Sequence, residues 1–412
     1  MSLIGPFPAL RPAPGQAGEI IAPPYDVVSA EEARTLATGR PWSFLHVSRP
    51  EIDFPPGTDP HAEDVYARAG ENLSGMITAG VLIRDTRPCY YIYRIRLGDH
   101  VQTGLVGAAA VAAYDNGRIR RHEFTRPDKE DDRVRHIEAV GGHTGPVLAA
   151  YPQAAAVDVL LAALSVGTPT EVATGPDGSE HALWVVRDVA HQAELTGAFD
   201  AMQALYIADG HHRSAAASRV AANWRARGCG PEHSSQRFLL VAFPHRQMRI
   251  LPYHRVVADL HGRTPAAFLD TLRSAFTVTP ESSAVAPTTS TEFGLRLAGA
   301  WYRLRLDPGI GARGNRVARL GVSLLATHVL EPLLGITDPR RDPRIDFVGG
   351  SRGTGELERR VDSGKWAAAF SLAPTPMADL MAVADTGEVM PPKSTWFEPK
   401  LADGLVSLML RD

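Results

Sequence analysis

The sequence is poor in cysteine. Its 412 residues include two, Cys89 and Cys229, which are far apart and form no C-x-x-C arrangement. A disulfide-rich secreted scaffold and a cysteine-based zinc site are therefore not expected. The histidines lack the H-E-x-x-H spacing of zinc hydrolases, and the chain has no G-x-x-x-x-G-K-S/T segment. Neither that hydrolase class nor a Walker-type nucleotidase is indicated.

Long apolar runs and a large excess of one charge are also missing. No stretch approaches the roughly 20 apolar residues of a membrane span, and no basic segment followed by an apolar one opens the chain. The formal net charge is −3, whereas a dedicated nucleic-acid binder is usually strongly basic. We therefore expect a cytoplasmic protein that binds small molecules, with neither nucleic acid nor a membrane as partner. A homodimer is compatible with these observations.

Length and composition favour a globular protein of two domains. Apolar residues make up 44% and charged residues 22% of the chain, which is ordinary for folded proteins. A chain of this length is long for a single core. Helix-like and strand-like segments alternate, so the fold class is predicted to be mixed α/β. We place the domain boundary near residue 230, with a first domain over 1–230 and a C-terminal α/β domain over 231–412.

Several local patterns predict individual elements. Ser29, followed by Glu31 and Glu32, predicts the cap and acidic first turn of a helix. The segment 89–97 alternates as a strand does, and 42–47 also has a strand-like composition. The segment 237–257 is interpreted as a hairpin.

The most informative stretch is "IADGHHRSAAA" (207–217), where an apolar run gives way to strong helix formers. Asp209, Gly210, His211, His212 and Arg213 therefore lie at a helix N-terminus, which attracts anions. Gly210 allows the backbone to approach a ligand, and Arg213 can bind phosphate through two N–H groups. Asp209 is a candidate base or metal ligand. The alternative is an Asp cap with surface histidines.

Two further segments carry candidate residues. Most of the charged run over 117–146 predicts a solvated helical face, but His122 and Glu123 follow an extended stretch and fit an acid–base couple or a cation site. The sequence alone leaves that pair undecided. Near the C-terminus, "MPPKSTWFEPKLADGLV" (390–406) offers donors for phosphate or carboxylate; a polar strand with a lysine-protected edge is the alternative. These donors are Lys393, Ser394, Thr395 and Lys400.

Segments along nearly the whole chain resemble the DUF1015 family, bacterial and archaeal proteins described as conserved and uncharacterised. The resemblance is carried, in order, by "APPYDVVS", "FLHVSRPEID", "GGHTGPVLAAY", "IADGHHRSAAA", "LPYHRVV", "DFVGG" and "MPPKSTWFEPKLADGLV". The family name implies little about function.

A more distant resemblance is to the ParB/sulfiredoxin-like fold, through "GEIIAPPYDVVSAEEARTLA" and "IADGHHRSAAA". Members of that group include nucleotide-dependent kinases of free L-serine, some of which use ADP. The resemblance implies a nucleotide-binding core in which Asp209, His211, His212 and Arg213 hold phosphates and Asp26 takes the catalytic acidic position. The chain departs from the pattern in two ways. A large insertion must carry His122 and Glu123, and Asp26 stands where a glutamate is expected.

Together these observations predict a metal-assisted phosphotransferase that acts on a small hydroxylated metabolite such as serine, with ATP or ADP as donor and Mg²⁺. The alternatives are a nucleotide-binding regulatory protein and a phosphoester hydrolase. One site is expected from residues 24–26, 122–123 and 209–213, with 393–395 as an option. Its chemistry is assigned to Asp26, His122, Glu123 and Asp209, its donor binding to Gly210, His211, His212, Arg213, Lys393, Ser394 and Thr395, and its metal to Glu123 and Asp209.

Overall fold

The computed structural model describes residues 1–311 and 314–410. Their contacts divide the chain into two compact units, one formed by Met1–Met248 with the residues from Pro399 onward, the other by Arg249–Glu398. Both units combine helices with strands, so the predicted mixed α/β class is confirmed. Among the described helices, none has both the length and the apolar character needed to cross a membrane.

The first unit is built on one large mixed sheet. The strands of this unit that precede residue 248 are β1 (Ile4–Gly5), β2 (Leu10–Pro12), β3 (Leu82–Arg84), β4 (Tyr90–Leu97), β5 (His100–Ala110), β6 (Ile119–Arg120), β7 (Gly142–His143), β8 (Val147–Tyr151), β9 (Glu171–Thr174), β10 (Glu180–Val186), β11 (Leu205–Asp209) and β12 (Arg237–Pro244). Strands β2, β3 and β7 lie outside the large sheet. The sheet order is β6-β11-β8-β12-β5-β4-β10-β9, with β1 paired to β5. The pairs β6/β11 and β8/β12 are parallel and the others antiparallel.

Helices cover this sheet and bury its aromatic side chains. They are α1 (Ala17–Ile20), α2 (Ala30–Ala37), α3 (Leu45–Ser48), α4 (Glu63–Thr78), α5 (Val111–Asp115), α6 (Pro127–Val140), α7 (Ala155–Leu164), α8 (Val189–Asp200) and α9 (His211–Ala226). The largest fully buried side chains here include Tyr90, Tyr151, Phe199 and Phe238. Helix α9 packs against α6, which also packs against α4.

The parallel pair β6/β11 determines where the candidate residues lie. Ile119 is in register with Leu205, and Arg120 with Tyr206. Because parallel strands end at the same edge of a sheet, the residues that follow the two strands come close together. The segment 122–123 therefore meets the segment 209–211.

The second unit contains a separate six-stranded sheet. Its strands are β13 (Arg249–Leu251), β14 (Tyr253–Val257), β15 (Phe276–Glu281), β16 (Glu292–Leu297), β17 (Ala300–Leu306), β18 (Ile345–Gly349), β19 (Ala368–Leu372) and β20 (Trp396–Glu398), and its helices are α10 (Pro265–Leu272), α11 (Pro308–Gly311), α12 (Gly321–Leu325), α13 (Glu331–Leu334), α14 (Gly353–Asp362) and α15 (Met377–Asp385). The sheet order is β15-β17-β16-β19-β14-β18, while β13 and β20 form a ribbon of their own.

The last residues of the chain belong to the first unit. Strand β21 (Leu408–Met409) pairs with β7, and Ala22 and Asp403 form a backbone bridge. The chain therefore passes from the first unit to the second after Met248 and returns to the first at Pro399, whereas the sequence suggested one boundary near residue 230. The difference has a physical cause, since β12 pairs with β5 and β8 in the centre of the first sheet.

Two local predictions are confirmed. Helix α2 begins at Ala30, and Ser29 and Glu32 form a reciprocal capping box that satisfies backbone N–H groups at its start. The alternating segment 89–97 is strand β4.

Two others are wrong. A turn and α3 occupy 42–47 instead of a strand, because Phe44, Leu45 and Val47 all pack into one hydrophobic cluster, which an alternating strand would not allow. The segment 237–257 is not a hairpin, since β12 pairs with β5 and β8, and β14 pairs with β18 and β19.

Candidate functional site

The junction between β11 and α9 forms the centre of the candidate site. Asp209 ends the strand, Gly210 has φ = 92°, and the helix begins at His211. A Cβ atom on residue 210 would lie 3.3 Å from the Cα of Val147. Both the left-handed backbone and the close approach to β8 therefore favour glycine here. The helix presents its N-terminal N–H groups and the positive end of its dipole at this point.

A recess opens at the junction. Segments that are distant in sequence meet there, because the N-terminal segment contributes Asp26 and the C-terminal tail contributes Lys400. The recess is lined by Pro24, Asp26, Pro146, Leu148, Asp209, Gly210, Arg213, Lys400 and Leu401. Five of the residues singled out in the sequence thus line one recess: Asp26, Asp209, Gly210, Arg213 and Lys400.

Asp209 is held by a cation and a backbone donor. Lys400 Nζ donates to its Oδ2 at 2.8 Å, and the N–H of Gly210 donates to its Oδ1 at 2.8 Å. Burial opposes the charge of this carboxylate, but Lys400 and Arg213 outweigh burial and lower the pKa of Asp209 to about 2. A carboxylate with so low a pKa is a weak proton acceptor near neutral pH. The sequence-based role of Asp209 as a base is disfavoured.

Arg213 is engaged in a buried ion pair. Its Nη1 and Nη2 donate to Oδ1 and Oδ2 of Asp403 at 3.2 and 3.3 Å, and Nη1 also donates to the carbonyl of Pro146. Burial alone would lower the pKa of Arg213, but Asp403 and Asp26 raise it above its ordinary value. A Cβ on Gly145 would lie 2.0 Å from Nη1, so glycine is needed to admit the guanidinium. Binding phosphate with both terminal nitrogens would require Arg213 to release Asp403.

Tyr25 fixes the segment that carries Asp26. Its ring lies under the guanidinium carbons of Arg133, at 3.8 Å, and Arg213, at 5.4 Å. Arg49 Nη1 donates to its carbonyl at 3.2 Å. Burial raises the pKa of Tyr25 to about 12. Stacking on two cations leaves this tyrosine little freedom, so the adjacent Asp26 is held at the recess.

His122, Glu123 and His211 form a second cluster next to the recess. The two imidazole rings are perpendicular, with centroids 4.5 Å apart, and the ligand atoms of the three residues lie within 4.8 Å of one another. Burial lowers the pKa of His122 to about 4 and that of His211 well below its usual range. Both rings are therefore neutral at pH 7. Asp209 is not a member of this group.

His212 points elsewhere than the cluster. Its Nε2 accepts from the backbone N–H of Arg126 at 3.2 Å. Burial lowers the pKa of His212, opposed by Asp26. Neighbouring histidines on one helix turn thus have different partners, and the predicted role of His212 in phosphate binding stays a prediction.

A second recess shares Arg213 with the first. His136 Nε2 donates to the carbonyl of Val47 at 2.8 Å, and burial lowers the pKa of His136 to about 3 and of His143 to about 4. Within the described residues, the buried Ser48 Oγ and His143 Nε2 have no hydrogen-bond partner. The lining consists of Ser48, Arg133, His136, Ile137, His143, Thr144, Gly145, Arg213 and Asp403.

Lys393, Ser394 and Thr395 belong to the other unit. Lys393 places its Nζ 5.5 Å from the ring centre of Tyr253, and its carbonyl accepts from Arg255. Ser394 Oγ donates to the carbonyl of Pro391 at 2.6 Å. These contacts lie inside that unit, and the predicted donor-binding role of the three residues stays a prediction.

Sequence reasoning missed most of the second recess and the partner of Arg213. Arg133 and His136 lie in a charged run that predicts a solvated helix, yet both are buried. His143 stands in "GGHTGP" and Asp403 in "KLADGL". Small residues around an isolated polar side chain could have indicated both, because glycine permits close approach.

Comparisons with known proteins identify a family. A family model described as "Protein of unknown function (DUF1015)" matches residues 4–323. No curated protein matches the chain.

Solved structures similar to this chain are distant. They include SbnI with C-terminal truncation from Staphylococcus aureus, at 14% identity and a TM-score of 0.39 over 74% of this chain and 87% of that one. A conserved hypothetical protein from Pyrococcus furiosus is 13% identical, with a TM-score of 0.33 over 73% and 93%. A free serine kinase in complex with AMP is 12% identical, with a TM-score of 0.34 over 71% and 86%.

The buried ion pair should contribute strongly to stability. Asp403→Asn leaves the Arg213 guanidinium buried without a counter-charge, so we expect urea unfolding of the full chain to show a loss of about 3–5 kcal/mol. The matched control is Asp131→Asn, which removes an exposed partner of Arg219 on the same helix and should cost at most about 1 kcal/mol. An equal decrease in the free energy of unfolding in the two variants would show that the buried pair stabilises the fold no more than an exposed pair does. The double variant Arg213→Met with Asp403→Leu should recover most of the loss.

The pair between Lys400 and Asp209 should make stability depend on acid pH. The folded pKa of Asp209, about 2, lies below its ordinary 3.8, so its stabilising contribution is present above about pH 4 and is lost as pH falls toward 2. Lys400→Met removes this contribution. In urea unfolding, the free energy of unfolding of the wild type should exceed that of the variant at pH 7, and this difference should become smaller below pH 4. The control is Lys129→Met, at the other lysine of this unit, and a difference that stays constant with pH would contradict the assignment.

Proposed function

We propose, given that the chain belongs to the DUF1015 family, that it is a nucleotide-dependent phosphotransferase acting on a small hydroxylated metabolite, such as the amino acid serine. The observation that carries the proposal is the first recess. It combines a helix N-terminus, a glycine with left-handed backbone, a lysine and two aspartates. Phosphoryl transfer depends mainly on positioning and on neutralising charge, and these groups supply both.

The terminal phosphates of ATP or ADP bind at the start of α9. Gly210 lets the backbone come close, and the N–H groups of the first helical turn donate to phosphate oxygens. Lys400 adds a positive charge whose direction is set by Asp209 at 2.8 Å. Arg213 contributes through the charge it shares with Asp403, since both terminal nitrogens of its side chain are bound to that carboxylate.

The chemistry of the recess fits Mg²⁺ carried by the nucleotide. This ion prefers oxygen ligands and is usually held by one or two carboxylates together with phosphates. Asp209, which lines the recess, would hold the ion together with phosphate oxygens. Bound there, Mg²⁺ would neutralise the charge of the phosphate oxygens.

Asp26 is the residue that accepts the proton of the attacking hydroxyl. It lines the recess and is exposed, whereas Asp209 is tied to Lys400 and has a pKa of about 2. A general base must take a proton near neutral pH, which disfavours Asp209. The stacked Tyr25 keeps Asp26 in place.

The acceptor binds in the second recess. Its buried Ser48 hydroxyl and His143 imidazole offer hydrogen bonds that no described protein group uses. Arg133 and Asp403 also line this recess, where their charges are paired with Asp132 and Arg213. Polar groups of both signs around one recess favour a small polar acceptor such as an amino acid.

A single assay separates this activity from its rivals. The full chain is incubated with Mg²⁺, a pool of amino acids and ATP, ADP or CTP, and products are followed by ³¹P NMR. A phosphorylated amino acid supports the proposal. Nucleotide hydrolysis without a phosphorylated acceptor would indicate a phosphoester hydrolase, and binding without turnover would indicate a regulatory protein.

Asp26→Asn tests the proton acceptor. Asn keeps the shape and one oxygen but cannot take the proton, so turnover should fall by about 10²–10⁴-fold while the Kd for nucleotide stays within about twofold of wild type, which is less than about 0.5 kcal/mol. The matched control is Glu31→Gln, an exposed carboxylate five residues further on, which should leave turnover unchanged. A fully active Asp26→Asn enzyme would show that Asp26 is not the proton acceptor.

Ser48→Ala tests the acceptor site without disturbing the fold. Ser48 Oγ is buried and has no partner among the described residues, so its removal should leave stability equal or higher. We expect the KM for the acceptor to rise about tenfold, as for one lost hydrogen bond, with the KM for nucleotide unchanged. The control is Ser371→Ala, whose Oγ donates to the carbonyl of Val285. That variant should lose stability and keep the acceptor KM. An unchanged acceptor KM in Ser48→Ala would exclude this recess as the acceptor site.

A further inference from the structure

His122, Glu123 and His211 form a group that the phosphotransfer proposal does not use. Their ligand atoms lie within 4.8 Å of one another, and in residues 1–311 and 314–410 this is the group of three or more His, Cys, Asp or Glu side chains close enough to hold a metal ion. Two imidazoles and a carboxylate come from two chain segments that the parallel pair β6/β11 brings to one edge of the sheet.

The nitrogens of this group are buried without partners. His122 is 2% exposed and His211 6% exposed. Within the described residues, neither Nδ1 nor Nε2 of His122 has a hydrogen-bond partner, and the same holds for Nε2 of His211. Buried polar atoms are rarely left unpaired in native proteins, and binding of an ion is one accepted reason for atoms that pair with no protein group.

The rings are also arranged as ligands of one ion would be. They stand perpendicular, with centroids 4.5 Å apart, so they do not stack and their nitrogens can converge on one point. Imidazole nitrogen suits zinc, iron, cobalt, nickel and copper, whereas magnesium and calcium prefer oxygen. Two histidines with one carboxylate are a recurrent set for catalytic zinc and non-haem iron.

We propose that His122, Glu123 and His211 bind a divalent transition-metal ion, distinct from the Mg²⁺ that accompanies the nucleotide. Three protein ligands leave further coordination positions for water or substrate, as catalytic sites do. The ion lies at the start of α9, directly beside Gly210, and so adds positive charge at the edge of the first recess. This site goes beyond the proposed phosphotransfer and does not depend on it.

Metal binding to the full chain tests the proposal without any activity assay. The protein is stripped with a chelator, then titrated separately with Zn²⁺, Mn²⁺ and Co²⁺ in excess Mg²⁺, and bound metal is measured after gel filtration. Co²⁺ additionally reports its ligands through its visible spectrum. We expect one equivalent of a transition ion, unaffected by Mg²⁺, and a higher Tm in its presence, since a ligand that binds the folded state stabilises it.

Variants assign the ligands. Loss of an outer-shell partner already weakens metal binding by about 10–100-fold, so His211→Gln and Glu123→Gln should each weaken it by about 100-fold or more. His212→Gln is the matched control, because His212 is the next residue and bonds to the N–H of Arg126 instead. Glu123 is only half-buried, so its variant keeps the test valid if a histidine variant fails to fold. Absence of stoichiometric binding, or equal binding in all three variants, would overturn the proposal while leaving the nucleotide assay unaffected.

Discussion

The buried pair between Arg213 and Asp403 is the interaction on which the site depends. The two residues are 190 positions apart, on α9 and on the C-terminal tail. Their bidentate contact fixes the tail against the helix, and the ring of Tyr25 beneath the guanidinium brings in the N-terminal segment. A buried arginine cannot shed its charge, so its partner carboxylate must stay in place. One guanidinium thereby joins three segments that the chain keeps far apart.

The same pair organises both cavities. Arg213 lines each of them, so the first recess and the second share one charged side chain. The tail that Asp403 anchors also carries Lys400, which reaches Asp209 three residues before its anchor. Lys400 neutralises Asp209, so the carboxylate next to the helix N-terminus repels an anion less there. The ion pair between Arg213 and Asp403 thus helps to position Lys400, which lies on the same tail.

Short stretches of sequence correctly predicted some elements, whereas the outcome elsewhere depended on contacts between distant segments. The strand, glycine and helix around Gly210, and the cap at Ser29, follow from short stretches whose physics is local. Arg133 and His136 lie in a charged run that is typical of a solvated helix, yet packing of α6 between α4 and α9 buries them. A sequence does not show which face of such a helix will meet partners. Asp403 was missed because its partner, Arg213, is 190 positions away in the sequence, and only the folded chain brings the two together.

The two aspartates of the first recess illustrate how environment separates identical side chains. The segment around Asp209 pointed to that residue as a candidate for chemistry, whereas Asp26 was implied by the resemblance to the ParB/sulfiredoxin-like fold. Lys400 holds Asp209 charged and lowers its pKa to about 2, which suits a residue that orients a cation and not one that takes a proton. Asp26 is exposed at the same cavity, fixed through the stacked ring of its neighbour Tyr25. The surroundings of each carboxylate, and not its residue type, are therefore the basis of the different roles that we propose for the two.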